Sequence, residues 1–356
     1  MVKRLEVAGK LDGLEKLEGV VPDDIPLLPV VPDPLRLAAR QGSLVPFIGA
    51  GVSQLAGCPG WEGFADGALQ YFVGRGKLKH GEFEQLRALQ ARVKLSIARD
   101  LERKHGLSID FASLLQASSS TVRKTGERVY ESLSKLASTF ITTNYDDWLD
   151  IPVQLPQTVE TAPAPVPAPP PPRRRVLSKI ADFHPNNLDL GNTVFHIHGS
   201  VSEPESMILT TADYLRHYAG HSIDRGRANE NQFLSFLQYL FRTKNVLFIG
   251  YGLKELEILE YVVEKAQESK PGPSDSGARI EPRHYLLEGF FSHEMQLVEN
   301  LGSYFLRECN IGLMPFSRET RGWEQLVEVI DYLSQQIPVG KLLGLQERIE
   351  MEELLK

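Results

Sequence analysis

The chain reads as an α/β protein, a doubly wound, mostly parallel Rossmann-like sheet with a helical insertion subdomain. Three observations predict this. Apolar runs of strand length recur: "LVPFIGAG", "TFITTN", "TVFHIH", "SMILT", "NVLFIGYG", "RHYLLE" and "IGLMPF". Several are continuous rather than alternating, as strands covered on both faces are. Helical segments separate some of them, "ENQFLSFLQYLFRT", "KELEILEYVVEKAQE" and "GWEQLVEVIDYLSQQ", and strands alternating with helices build a wound sheet. Two of the runs, at 44–53 and 245–255, pass through a glycine turn into a helix start.

Taken in order, residues 1–34 form an arm rich in Pro, Asp and Leu. "VVPDDIPLLPVVPDP" cannot be a regular helix, because proline removes donors and fixes φ. Its apolar content predicts an extended segment that packs on something, such as a neighbouring subunit. The organised domain spans 35–338 and starts with a short helix, "PLRLAARQGS", followed by the first strand. Residues 61–136 read as mainly helical, an insertion or lid. There Phe83, Leu86, Leu89, Val93, Leu95, Ile97 and Leu101 fall mostly three or four apart. Residues 156–175 are proline-rich, an exposed polyproline-like loop between two strands, read as a surface insertion or an SH3-type ligand. "KPGPSDSGARIEP" is a similar, shorter loop. The tail at 339–356 is an amphipathic helix with Leu342, Leu345, Ile349 and Leu355 on one face, docked on its own domain or on a partner.

Bulk properties exclude several classes. The chain has 356 residues, 42% apolar and 24% charged, with a formal net charge of −7. An acidic chain is a poor general binder of nucleic acid, whose phosphates demand a basic surface. Arg173, Arg174 and Arg175 form an isolated basic run, read as a solvated linker end or a local nucleic-acid contact. The two cysteines, Cys58 and Cys309, form no CxxC pair, so no four-cysteine zinc site can be built. Scattered thiols, no apolar signal core at the N-terminus and no run of about 18 apolar residues predict a cytoplasmic protein that does not span a membrane.

Four motifs can carry chemistry. In "FIGAGVS" a strand runs into Gly49, Ala50 and Gly51, then a helix start at Ser53. Free N–H groups and the helix dipole favour a phosphate there, although the turn can equally just reverse the chain. Gln54 stands where the dinucleotide fingerprint needs a third glycine, and no GK[ST] follows, so neither a standard Rossmann fingerprint nor a P-loop is present. In "FITTNYDDWLD" the strand ends in Thr143, Asn144, Tyr145 and Asp146, where ligands sit in open α/β sheets. The alternative is an Asx turn serving the local backbone. "VFHIHGS" puts His196 and His198 on one face of a strand, as a zinc pair with Asp146 or Asp147 completing the set, or as one base and one structural partner. "NVLFIGYGLKELEIL" repeats the strand and glycine turn at Gly250, Tyr251 and Gly252. Glu255 and Glu257 follow in the next helix turn, as ribose ligands or ordinary N-terminal charge.

In this order the four motifs resemble the sirtuin-like NAD-binding family. GAGVS is similar to its phosphate-binding GAG-[IV]-S, Asn144 and Asp146 to its T-x-N-x-D pair, His198-Gly199 to its His-Gly motif, and "FIGYG" to its late adenosine-side loop. The resemblance spans about residues 36–335. "TTNYD", Pro59-Gly60-Trp61, "LTTADY" and "FIGYGLKELEI" look like the bacterial sirtuin-like domains of anti-phage defence proteins. Protein deacylases of the family carry a four-cysteine zinc module between the Asn and His motifs, and here that span is proline-rich.

The branch it resembles hydrolyses NAD. The resemblance therefore implies an NAD⁺ hydrolase that takes NAD as substrate and needs no metal, with Asn144, His198 and Asp146 catalytic. Gly49, Ala50, Gly51 and Ser53 would hold the phosphates, and Trp61, Thr143 and Tyr145 would line the nucleotide. Gly250, Tyr251, Gly252 and Glu255 would serve the adenosine half, and His196 would be structural. Alternatives are a sensor that binds NAD or ADP-ribose without turnover, and a zinc hydrolase using His196, His198 and Asp146. Short chains of this branch pair with a HerA-type ATPase/helicase or a short Argonaute. The resemblance thus implies a homo-oligomer with a separate partner, the HerA-type ATPase favoured, and no direct nucleic-acid contact.

Overall fold

The computed structural model describes residues 24–115, 120–150, 174–218, 221–222, 229–252 and 281–337. Seven strands form one sheet: β1 Leu44–Ile48, β2 Thr139–Thr142, β3 Arg175–Leu177, β4 Thr193–His196, β5 Asn245–Ile249, β6 His284–Phe290 and β7 Ile311–Ser317. Their spatial order is β3-β4-β2-β1-β5-β6-β7, and every pairing is parallel. Continuous burial follows from that topology, since crossover helices cover both faces. Every residue of β1 and β2 is buried. Alternate side chains go to opposite layers. Leu44 and Ile48 of β1 enter one apolar cluster, Val45 and Phe47 the other.

Eleven helices are described: α1 Asp33–Arg40, α2 Ala50–Leu55, α3 Trp61–Val73, α4 His80–Leu86, α5 Ala91–His105, α6 Phe111–Leu114, α7 Ser120–Ser134, α8 Thr211–Tyr218, α9 Gln232–Thr243, α10 Met295–Cys309 and α11 Gln325–Gln336. Residues from α1, α2, α7 and α11 fill the first cluster, and those from α9 and α10 the second, which is the doubly wound arrangement. Helices α3 to α6 build a third cluster beside the sheet, around Phe64, Phe72, Leu95 and Phe111. Its buried stripe differs from the simple apolar pattern. Val93 and Leu89 are exposed, while Lys94 is buried between Glu62 at 2.5 Å and Asp66 at 2.7 Å.

Two local expectations are corrected. "SMILT" is not a strand: Met207, Ile208 and Leu209 are buried in the third cluster and its margin. Their backbone is satisfied outside the sheet, with Ile208 N–H donating to the His198 carbonyl and the Ile208 carbonyl accepting from Tyr145. Arg174 is not a solvated linker end. Its guanidinium is buried over the Phe140 ring and donates to the Leu149 carbonyl and Ser134 Oγ, and Arg175 opens edge strand β3. The described part of the arm, residues 24–32, packs on this chain's own fold. The Pro26 carbonyl accepts from Ser317 N–H, the Leu27 carbonyl accepts from Gln325, and Ile25 packs with Phe290 and Val298.

The arm's residues 1–23, most of the proline-rich segment, the helical run at 254–268 and the tail at 339–356 lie outside the described residues. No helix among the described residues is long and apolar enough to cross a membrane.

Candidate functional site

Sheet order decides where a ligand can sit. The chain runs from β1 through β2 to β4 on one side, then returns to β5 on the other side of β1. That reversal is a topological switch point, and the crevice lies beyond the carboxyl ends of the strands there. All four sequence motifs end at this edge, after β1, β2, β4 and β5.

The two glycine turns meet backbone to backbone. Gly49 N–H donates to the Ile249 carbonyl at 2.9 Å, and Gly51 N–H to the Gly250 carbonyl at 2.8 Å. A Cβ on Gly49 would stand 2.5 Å from Gly250 O. Gly250 is left-handed, with φ +61°, and its own Cβ would stand 2.7 Å from Val52 N. Only glycines permit so close a meeting.

The polar end of β2 is a set of ties across this crevice. Thr142 Oγ1 donates to the Ile48 carbonyl at 2.9 Å and accepts from Asn144 N–H at 2.9 Å. Asn144 Nδ2 donates to the Gly49 carbonyl at 3.1 Å, so its amide bridges the β2 loop to the first glycine turn. Ser53 Oγ donates to Asp146 Oδ2 at 2.6 Å and lies 3.3 Å from the Tyr130 hydroxyl. Asp146 Oδ1 accepts from Trp148 N–H at 3.3 Å, the Asx turn the sequence allowed. Burial raises the Asp146 pKa; the Ser53 hydrogen bond and the nearby His196 hold the rise back. Thr143 N–H donates to the Ile48 carbonyl at 3.3 Å.

After β4, His198 is buried. Its Nε2 lies 2.8 Å from the Tyr218 hydroxyl, and its Nδ1 lies 3.4 Å from that of Tyr214. Tyr214 and Tyr218 stand one turn apart on α8 with stacked rings, and the Arg92 guanidinium covers Tyr214 at 3.6 Å. Burial, then His217 and Arg92, push the His198 pKa well below the ordinary histidine value, so the ring is neutral at physiological pH. Gly199 follows with φ +85°, and a Cβ there would stand 2.2 Å from the Ser206 carbonyl oxygen. The turn after His198 therefore demands glycine.

His196 lies apart from His198 in its partners. Its Nδ1 is 2.9 Å from the Asn144 carbonyl and its Nε2 is 2.8 Å from Asp150 Oδ1. With these nitrogens engaged inward, the two histidines do not form a chelating pair. No group of three or more His, Cys, Asp or Glu able to hold a metal occurs among the described residues.

The remaining candidates divide. The Trp61 ring stacks on Tyr145 at 5.7 Å, and Tyr145 stacks on Phe64 at 5.8 Å, so both belong to the wall between the β2 loop and the helical insertion. Ala50 is exposed at the start of α2. Among the described residues nothing lies within 4 Å of a Cβ on Gly252. The Tyr251 ring is buried against Phe47 and Phe248, inside the core rather than on the crevice wall. Glu255 and Glu257 lie outside the described residues.

The sequence reading missed Tyr214, Tyr218, Arg92 and Asp150. Tyrosines four apart in "ADYLRHY" were the available signal for the first two. Nothing local marks Arg92 or Asp150.

Fold and site together define a Rossmann-like α/β protein with its polar centre at the switch point of a parallel sheet. Within that class, the family model described as SIR2-like domain matches residues 138–305, from the end of α7 to α10. The match contains Asn144, Asp146, His198 and Gly250 and supports the sirtuin-like resemblance. SIR2-like domains use NAD, so the match points to NAD-dependent chemistry in general. No curated protein matches the chain.

Proposed function

We propose that this chain is an NAD⁺ glycohydrolase that cleaves the bond between nicotinamide and ribose and depletes NAD in anti-phage defence. The observation that carries the reading is the convergence of Asn144, His198 and the paired glycine turns at one switch-point crevice, within and beside a SIR2-like match.

Loss of neutral nicotinamide leaves an oxocarbenium-like ribose. The protein's tasks are to hold the pyrophosphate, orient the ribose and place a water. The first task falls to the turn at Gly49 to Gly51 and the start of α2, where Ala50 is exposed, while the Gly49 and Gly51 N–H groups are taken by the Ile249 and Gly250 carbonyls. Asn144 offers an amide oxygen and nitrogen to a ribose hydroxyl or the attacking water. His198 is neutral and so able to accept a proton from either, but burial makes it a weak base, and its ring nitrogens face the Tyr218 and Tyr214 hydroxyls. Asp146 acts through Ser53, holding α2 against the β2 loop.

Control by self-assembly or by a separate partner, a HerA-type ATPase before a short Argonaute, belongs to the same proposal. A cytoplasmic location is the setting in which NAD depletion acts on the infected cell.

The test is nicotinamide release by the purified chain, alone and with those partners, beside Asn144→Ala and His198→Ala. Each substitution is expected to lower the rate by about 10²–10⁴-fold. A folded variant that retains full turnover removes the reading. One observation favours a second reading, a sensor without turnover: the Asn144 amide and His198 Nε2 both contact groups of the protein itself. Saturable ADP-ribose binding without nicotinamide release under any assembly condition would establish it.

A further inference from the structure

His196 serves no step of the chemistry above, yet both of its ring nitrogens meet acceptors. The Asn144 carbonyl, 2.9 Å from Nδ1, can only accept, so Nδ1 carries a proton. Asp150 Oδ1, 2.8 Å from Nε2, is a carboxylate oxygen and also accepts, so a second proton on Nε2 makes the ring an imidazolium. The ring is fully buried, and the Asp150 side chain is 14% exposed. This pair is therefore not a solvated surface contact.

We infer that Asp150 and His196 are positioning residues: the Asp150-held imidazolium clamps the Asn144 carbonyl and so aims the Asn144 side chain at the first glycine turn. The inference rests on the NAD-hydrolase reading for its kinetic consequence, but the clamp itself does not. The residue whose amide crosses to the Gly49 carbonyl is the one whose own carbonyl is held from below. With its N–H held by Thr142 Oγ1 and its carbonyl by His196, the Asn144 backbone has one orientation, from which the side chain reaches the Gly49 carbonyl.

The charges facing His196 set its pH response. Burial disfavours the imidazolium. The Asp150 hydrogen bond and charge, the Asn144 carbonyl and the Asp146 carboxylate together outweigh burial and raise its pKa. Arg174 interacts with the Asp150 charge as well. As pH rises through the raised pKa, one ring proton leaves, and either Asp150 or the Asn144 carbonyl loses its donor. Turnover is therefore expected to fall on the alkaline side. In Asp150→Asn the side-chain amide donates to Nε2 of a neutral ring, Nδ1–H stays on the carbonyl, and that alkaline fall disappears.

The experiment compares pH–rate profiles of nicotinamide release for the wild type, Asp150→Asn, His196→Asn and His196→Leu. It is paired with ¹⁵N spectra of the histidine rings and of the Asn144 side-chain amide. His196→Leu is expected to lose about 10²-fold in kcat with little change in KM, the scale of a misplaced group. His196→Asn keeps a donor near the carbonyl and is expected to recover to within about tenfold of wild type. Should His196→Leu fail to fold, the Asp150→Asn profile and the His196→Asn rescue decide the matter. An alkaline limb identical in wild type and Asp150→Asn, or a neutral His196 ring in the wild-type spectrum at pH 6, overturns the inference. Absence of nicotinamide release by the wild type removes the hydrolase reading alone. The clamp is then judged on the Asn144 amide resonance, which must move in His196→Leu or His196→Asn and whose constancy would overturn it.

Discussion

Replacing Gly49 by alanine tests the architecture of the crevice more directly than any charged substitution. The added methyl would stand 2.5 Å from Gly250 O, 2.6 Å from Tyr251 Cα and 2.8 Å from Tyr251 Cβ. Two of the three are backbone atoms, so no rotamer change relieves the contact. Ordinary contact returns only if the turns separate by about 1 Å. That separation stretches the Gly49–Ile249 and Gly51–Gly250 hydrogen bonds, each worth about 1 kcal/mol. Overpacking adds about 1–3 kcal/mol. The expected loss of stability is about 3–5 kcal/mol, read from the urea midpoint at constant slope. On the proposed hydrolase reading, nicotinamide release should fall about 10²-fold even where the variant is fully folded, because a shift approaching 1 Å misplaces the turn proposed to hold the phosphates. Gly252→Ala makes the same chemical change three residues from the Ile249 strand end, where a Cβ meets nothing among the described residues, and should leave stability within about 0.5 kcal/mol. A Gly49→Ala protein as stable as Gly252→Ala would show that the two turns are not locked together and would refute the reasoning.

Two further outcomes follow from the same geometry. His198, His217 and His284 are buried and neutral, their pKa values pushed down chiefly by burial, to about 4 for His217 and about 3 for His284. Below about pH 6.5 the unfolded chain binds these three protons and the folded chain does not, so their contribution, complete above that pH, declines on acidification by about 1.4 kcal/mol per pH unit each. His196 and Asp146, both raised, work in the opposite sense but are fewer. The urea midpoint should therefore be lower at pH 5 than at pH 7, and equal midpoints would contradict the assignment. Tyr145→Phe keeps the stack on Trp61 and Phe64 but removes a buried donor from the Ile208 carbonyl, at 2.6 Å. It should cost about 1–2 kcal/mol in thermal or urea unfolding, and an unchanged protein would mean that the carbonyl finds another donor.

Local pattern alone determined much of this molecule. Continuous apolar runs announced β1, β2, β4, β5, β6 and β7, and the glycines after β1 and β5 marked turns that the structure does bring to one edge. The polar cluster after β2 and the histidine before Gly199 were likewise visible, because a strand that ends in hydroxyls, amide and carboxylate cannot bury them without partners. Edge strand β3 was hidden by the basic run, and the Met207–Leu209 run imitated a strand, since burial reads the same in a sequence whether or not a ladder forms. The partners themselves were not legible. Asn144 meets Gly49 across 95 residues of sequence and Ser53 meets Asp146 across 93, because β2 lies beside β1 in the sheet. His196 reaches the Asn144 carbonyl only because β4 lies beside β2. A sequence carries the residue types that a site needs, through local propensity and hydrophobic period. Which of them touch is set by strand order, and strand order is a property of long-range packing that no short window contains.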